Sequence, residues 1–212
     1  GGSLRNAIPR EAFCTIAVPT AKAQEAMNIV KELEAVVKSE LSAVEPDLII
    51  TMTEASSCEF VMDTDAAKRV VRAIYACPNG VYRMSDSMEN LVETSSNLAI
   101  VKTDGDQILA CALLRSSVDT AKADFAEMVA SVIELAGGNI EFAGGYPGWK
   151  PNMQSPILET MTSTYKKMFG RTPKVMAIHA GLECGLLGGV YKNWDMISFG
   201  PTIQNPHSPD ER

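Results

Sequence analysis

Two histidines and one glycine-rich cysteine turn hold much of the chemistry this sequence offers. His207 lies in "SFGPTIQNPHSPDER" (198–212), a polar, proline-punctuated loop after an apolar, strand-like run. Imidazole is a good zinc ligand, and the loop after a buried strand of an α/β sheet is where such sites gather. A catalytic zinc needs three protein ligands. Asp210 and Glu211 lie close in sequence, but there is no H-x-x-x-H, no D-x-H and no carboxylate pair at ligand spacing. By pattern alone His207 is an ordinary polar loop residue, and the metal reading needs partners from elsewhere.

"IHAGLECGLLGG" (178–189) is the second constellation. Cys184 near a helix N-terminus, five residues after His179, has the ingredients of an activated thiolate. The competing reading is that the small residues let a helix pack closely and that Cys184 is buried and inert. Glu183 in this apolar turn needs a partner or a ligand, because an unpaired buried carboxylate is costly. Asn6, in "GGSLRNAIPRE" (1–11), either satisfies backbone groups of a turn or presents its amide to a ligand. Arg115, at the end of an apolar strand, either extends to solvent or offers its guanidinium fork to a carboxylate.

The elements that must position these residues follow from periodicity. "EAFCTIAV" (11–18) and "DLIITMTEA" (47–55) read as strands. Between them a helix from Thr20, as N-cap, carries Met27, Val30, Leu33, Val37, Leu41 and Val44 on one face until Pro46. A shorter helix over 64–76 carries Ala67, Val70, Val71 and Ile74. "NLAIVKTDGDQILACALLRSS" (97–117) is a hairpin whose Asp104-Gly105 fits a type I′ turn. A helix over 119–136 presents Phe125, Met128, Val132 and Leu135 and stops at Gly137-Gly138, and "NIEFAG" (139–144) returns as a strand. This order predicts an antiparallel sheet with helices on one face, in the split βαβ manner.

"GGYPGWKPNMQSP" (144–156) marks a boundary or hinge. Beyond it Ser155 and Pro156 start a helix that Gly170 ends. "KVMAIH" (174–179) and "DMISFG" (195–200) read as buried strands around a short helix from 181. That is a parallel α/β alternation, but about sixty residues is a small slab with exposed sheet edges, so it reads as part of something larger.

Composition narrows the classes. The 212 residues are 46% hydrophobic and 21% charged, which is globular. A formal charge of -7 disfavours nucleic acid and anionic membrane as partners. No apolar run approaches the ~20 residues of a membrane span. The five cysteines are scattered without a C-x-x-C pair, which is neither a zinc framework nor a disulfide scaffold, and a reducing cytoplasm fits best. Cys14 and Cys111 fall in apolar strand patterns and are expected to be buried.

Five stretches in order, "LRNAIPREAF", "NGVYRMS…LVETSSNLAIV", "GGYPGWKPN", "IHAGLECG" and "DMISFGPTI…HSPDER", resemble the aminoacyl-histidine dipeptidases. These are Xaa-His dipeptidases, bacterial carnosinase-like enzymes, a branch of the co-catalytic zinc exopeptidases. The resemblance covers essentially the whole chain. It implies an α+β fold: residues 1–148 as most of a ferredoxin-like lid, or dimerisation, domain, and residues 149–212 as a partial α/β catalytic segment. It implies His207 as a zinc ligand, Asn6 and Arg115 as the lid residues that hold the dipeptide's C-terminal carboxylate, and Gly181 and Glu183 as residues lining the substrate pocket. A homodimer formed through the lid is also implied.

In a complete family member two zinc ions share a water, and a glutamate shuttles the proton. The other zinc ligands, the bridging aspartate, that glutamate and the Gly-His-Ser-Gly stretch have no counterpart in this sequence. The resemblance therefore implies a fragment of a cytosolic metallo-dipeptidase that is inactive alone. Two readings compete with it: a non-enzymatic dimerisation or binding module with the same lid fold, and a thiol enzyme built on Cys184.

Overall fold

The computed structural model describes residues 1–56, 58–86, 88–149, 152–176, 182–205 and 210–212. They form two compact units, Phe13–Ala66 and Gly1–Ala12 with Ala67–Arg212.

In the first unit a 3-10 turn, Thr20–Lys22, leads into α1, Ala23–Leu41. Thr20 is not an N-cap. Pro19 is extended, and Lys22 N–H closes the turn on the Pro19 carbonyl at 2.8 Å, so Thr20 is already inside it. Ala23, Ala26, Met27, Val30, Glu34 and Val37 form the half-buried stripe, at the three- and four-residue steps of a helix. Leu33 and Val44, expected on that face, are more than half exposed.

Along residues 47–52 burial alternates: Leu48, Ile50 and Met52 are half-buried, and Ile49 and Thr51 are exposed. This is the pattern of a strand face, yet it joins no ladder among the described residues. The Ile50 N–H donates instead to Glu34 Oε1 at 3.2 Å. Together with the Lys38 ammonium at 3.0 Å, that bond holds the Glu34 carboxyl below its usual range.

The second unit is built on a three-stranded antiparallel sheet, β1 (Gly80–Met84), β2 (Val92–Asp104) and β3 (Gln107–Ser116), in the order β1-β2-β3. The central strand carries the buried groups: Glu93, Thr94, Ser96 and Ala99. Glu93 accepts from the Arg83 guanidinium across the β1–β2 pair, and Thr94 Oγ1 meets Ser116 Oγ of β3 at 2.8 Å. The hairpin forms as expected, one residue out of place. Asp104 pairs with Gln107, so the loop is Gly105-Asp106. Gly105 has φ +61 and Asp106 has no positive φ, which is the requirement of a II′ turn rather than I′.

Helix α2 (Thr64–Ala76) is capped by Asp63, whose Oδ1 accepts from Asp65 N and Ala66 N at 3.0 Å each. Ala67, Val70 and Ala73 are its half-buried face, while Val71 and Ile74 are exposed. Helix α3 (Asp119–Leu135) packs on β3. Its buried line is Phe125, Val129 and Ala130, with Leu135 turned out at 87% exposure. Phe125 is fully buried and stacks on Tyr82 of β1, ring centroids 4.5 Å apart.

Helix α4 (Pro156–Phe169) starts and stops as its sequence dictates. Ser155 Oγ accepts from Leu158 N–H at 3.2 Å, and Gly170 ends the helix in the left-handed region at φ 69. Helix α5 (Leu182–Val190) is short and glycine-rich.

The segments 11–18, 139–144, 174–176 and 195–200 join no ladder among the described residues. Phe13 and Ile16 are more than half exposed, and the apolar run around them belongs to no strand or helix. Cys14 is exposed with it, and so is Cys111 on the outer strand β3, against the expected burial. At 195 the side chain does other work: Asp195 Oδ2 accepts from Ile157 N–H at 2.9 Å, at the start of α4.

Because Phe125 has no exposed surface and a ring partner, Phe125→Ala is expected to cost about 3–5 kcal/mol in urea unfolding. Leu135→Ala on the same helix should cost well under about 1 kcal/mol.

Candidate functional site

The last residues of β3 and the first turn of α3 wall a cavity of about 540 Å³. Arg115 lies on that wall, opposite Ser95 in the β2–β3 register. The Thr94–Ser116 hydroxyl contact fixes the strand end one residue further on. Arg5, Lys122, Glu141, Tyr146 and Trp149 also line the cavity. Cationic groups at a half-apolar wall suit an anionic group on a small molecule.

The glycine-rich segment also lines the cavity, and a clasp holds it. Asp119 Oδ1 accepts from Gly148 N–H at 3.0 Å and from Lys122 Nζ at 2.9 Å, and Lys122 also donates to the Tyr146 carbonyl at 2.6 Å. The Gly148 bond, and then the lysine, hold the Asp119 carboxyl below the usual aspartate range. Gly148 runs so close to the strand end that a Cβ there would sit 2.8 Å from the Ser116 carbonyl oxygen. Behind it, Cβ atoms at Gly185 and Gly189, one turn apart on α5, would each come within 2.8 Å of Pro147. The small residues of "LECGLLGG" therefore do allow close packing, with this segment as the partner.

Asn6 is placed by a turn. Ala7 N–H donates to the Leu4 carbonyl at 3.2 Å, which leaves Arg5 and Asn6 as the two central residues. The backbone closes this turn, and the Asn6 side chain is exposed. Arg5, the residue before it, reaches the cavity with its guanidinium beside Gly144. Asn6 is not on the cavity wall.

Glu183 lies in the first turn of α5 and is exposed, so solvent removes the cost expected of a buried carboxylate. Cys184 beside it is buried. Burial, and then the Glu183 charge, push its thiol up, the opposite of an activated nucleophile. His207, Gly181 and His179 lie outside the described residues. Among the described residues no three His, Cys, Asp or Glu side chains gather as a metal site, and no helix is long and apolar enough to cross a membrane.

Sequence reasoning picked out Arg115 but passed over Asp119, Lys122 and Arg5. An Asp and a Lys three residues apart at a helix start, upstream of a GGYPG stretch, were the available signal. Nothing local marked their target.

No family model matches the chain. Over all 212 residues it is 40% identical to the cytosol non-specific dipeptidase of Escherichia coli (strain K12), and it covers 44% of that protein. The crystal structure of aminoacylhistidine dipeptidase from Vibrio alginolyticus superposes on 99% of the chain with a TM-score of 0.87 at 44% identity. The chain covers 43% of that structure, so it spans less than half the length of both proteins. The resemblance to aminoacyl-histidine dipeptidases carried by the five motifs therefore extends along the chain, and the mixed fold of antiparallel sheet and helices goes with it.

Two outcomes are expected here. The Gly148 amide proton should titrate with Asp119 in NMR. The lowered pKa means the clasp is complete above the ordinary aspartate range and is lost as pH falls through a midpoint below it. Asp119→Asn should abolish that midpoint. In alkylation followed by mass spectrometry near neutral pH, exposed Cys14, Cys58 and Cys111 should label well before buried Cys77 and Cys184.

Proposed function

We propose that this chain is part of a zinc-dependent dipeptidase acting on Xaa-His and related dipeptides, with residues 1–148 as most of its lid and 149–212 as the returning part of its catalytic domain. The observation that carries the proposal is the placing of Arg115 and Arg5 at one cavity, in a chain 40% identical along its whole length to a dipeptidase. A guanidinium presents paired N–H donors that match a carboxylate, and the Asn6 amide adds a neutral donor. Arg115 at the cavity and, by resemblance, Asn6 of the neighbouring turn outside its wall hold the substrate's terminal carboxylate in the full-length enzyme. That grip limits the enzyme to short peptides, since a longer chain has no carboxylate at that distance from the bond cut.

His207 is assigned as a zinc ligand, and Gly181 and Glu183 as substrate contacts, by resemblance alone. Two zinc ions, when bound, would supply Lewis-acid activation of water for peptide hydrolysis. The remaining ligands and the proton-shuttling glutamate belong to the longer enzyme, so the 212 residues alone hydrolyse nothing. The lid joins a second copy of itself and the enzyme works in the cytoplasm. In support of a further covering surface, Ile29, Leu33 and Val36 of α1 are each more than half exposed. The raised Cys184 thiol disfavours a thiol enzyme. A purely structural module would retain the fold but lose the test below.

In the full-length enzyme, Arg115→Ala should lower kcat/KM for dipeptides about ten- to a hundredfold, the loss of a charge-assisted contact of about 1.5–3 kcal/mol. A dipeptide with an amidated C-terminus should be poor for the parent and no poorer for the variant. Equal loss on both substrates would place Arg115 away from the carboxylate.

A further inference from the structure

Asn97 of β2 is not part of the carboxylate reading, yet its side chain brackets Asn6. Its Nδ2 donates to the Ala7 carbonyl at 2.8 Å and to the Arg5 carbonyl at 3.2 Å, the residues on either side of Asn6. Both partners are acceptors, so the amide orientation is fixed by chemistry and both N–H groups are used. The turn's own bond, Ala7 N–H to Leu4, ties only its ends. Asn97 anchors it to the sheet.

The same edge of β2 holds the residues before the turn. Gly1 exchanges both backbone bonds with Val101, at 3.1 and 2.7 Å. Gly2, at φ +83, passes the Ala99 carbonyl so closely that a Cβ would lie 1.8 Å from its oxygen. The strand is irregular there, with a register shift between Leu98 and Ile100. Leu98 N–H, beside Asn97, is taken by Asn79 Oδ1 at 2.7 Å. The stretch from Asn97 to Val101 is thus a fixed rail along which residues 1–7 run.

Register puts this rail next to Arg115. Asn97 lies opposite Leu113 and Ser95 lies opposite Arg115. Residues two apart on a strand share a face, so Asn97 and Arg115 are diagonal neighbours on one face of the β2–β3 pair.

We propose that Asn97 is a positioning residue for substrate-carboxylate binding: it pins the carbonyls flanking Asn6 and so sets that amide relative to Arg115. The proposal rests on the reading of Asn6 and Arg115 as carboxylate ligands. Asn97 does not touch substrate. Its effect passes through the turn, so it acts on binding and leaves the chemical step alone.

The test is a double-mutant cycle in the full-length enzyme, reading KM and kcat for a dipeptide. Asn97→Leu keeps the side-chain branching without charge and removes both donors, and the carbonyls it releases are near solvent. Asn97→Leu should raise KM about fivefold or more with kcat within about twofold. In an Asn6→Ala background the same change should alter KM less than about twofold, because the amide it positions is already gone. A purely structural role would reduce active enzyme equally in both backgrounds.

An unchanged KM for Asn97→Leu beside a raised KM for Asn6→Ala overturns the inference and leaves the carboxylate reading intact. Equal effects in both backgrounds also overturn it. An unchanged KM for Asn6→Ala overturns the carboxylate reading itself, and this inference with it. Asn97→Ala, read in the same cycle, decides the matter if the leucine variant does not fold.

Discussion

The carboxylate of Asp119 accepts from the Gly148 N–H at 3.0 Å and from Lys122 at 2.9 Å, and the surroundings of the cavity depend on where those bonds leave residues 146–149. The side chain stands at the first turn of α3, where the exposed N–H groups of a helix favour a negative charge. It joins the start of α3 to the glycine-rich segment, whose Gly148 in turn lies against the end of β3. Pro147, held in between, is the surface that Gly185 and Gly189 of α5 pack against. The segment 139–149 joins no ladder among the described residues, so the clasp gives it hydrogen bonds that no strand partner supplies.

The sheet that carries the site is polar where a sheet is usually apolar. Glu93, Thr94 and Ser96 are buried on β2, and among the larger side chains of the described residues only Phe125 and Thr94 are almost wholly enclosed. Buried polar groups specify geometry more sharply than apolar ones, provided they are paired, because each partner has a direction as well as a distance. Arg83 against Glu93 and Ser116 against Thr94 fix the β1–β2–β3 register near Arg115. Apolar packing, from Phe125 on Tyr82, closes the sheet against α3.

Helices were legible in the sequence because their signals are local. Ser155-Pro156 and Gly170 bound α4 by capping alone, and the three- and four-residue steps marked α1, α2 and α3. Outside the 97–117 hairpin, which its turn residues marked, strands were not, because a strand is defined by its partner. Leu48, Ile50 and Met52 have the right alternation and still make no ladder, and β1 was missed although Asn79-Gly80 before "VYRM" was a turn signal. Periodicity also misjudged which side of a helix turns inward, placing Leu135 inside and passing over Val129. For the site, local chemistry left Asn6 and Arg115 evenly divided between bland and functional readings. Their grouping came from the order of five motifs, and the bonds that support them from long-range contacts that no window of sequence contains.

Those supports share one construction. At the Arg115 cavity the glycine-rich segment is fixed by a carboxylate and an ammonium bonded to backbone at Gly148 and Tyr146, and at Asn6 the turn is fixed by an amide bonded to backbone at Arg5 and Ala7. Side-chain-to-backbone bonds hold a loop by its main chain and leave its own side chains free for a ligand. That allows Asn6 to stand exposed and still be held in place. The same construction brings backbone against backbone, and there only glycine fits: at Gly2 beneath the Ala99 carbonyl and at Gly148 against Ser116. Gly148, in the stretch whose composition marks a boundary or hinge, is therefore a point of close backbone contact.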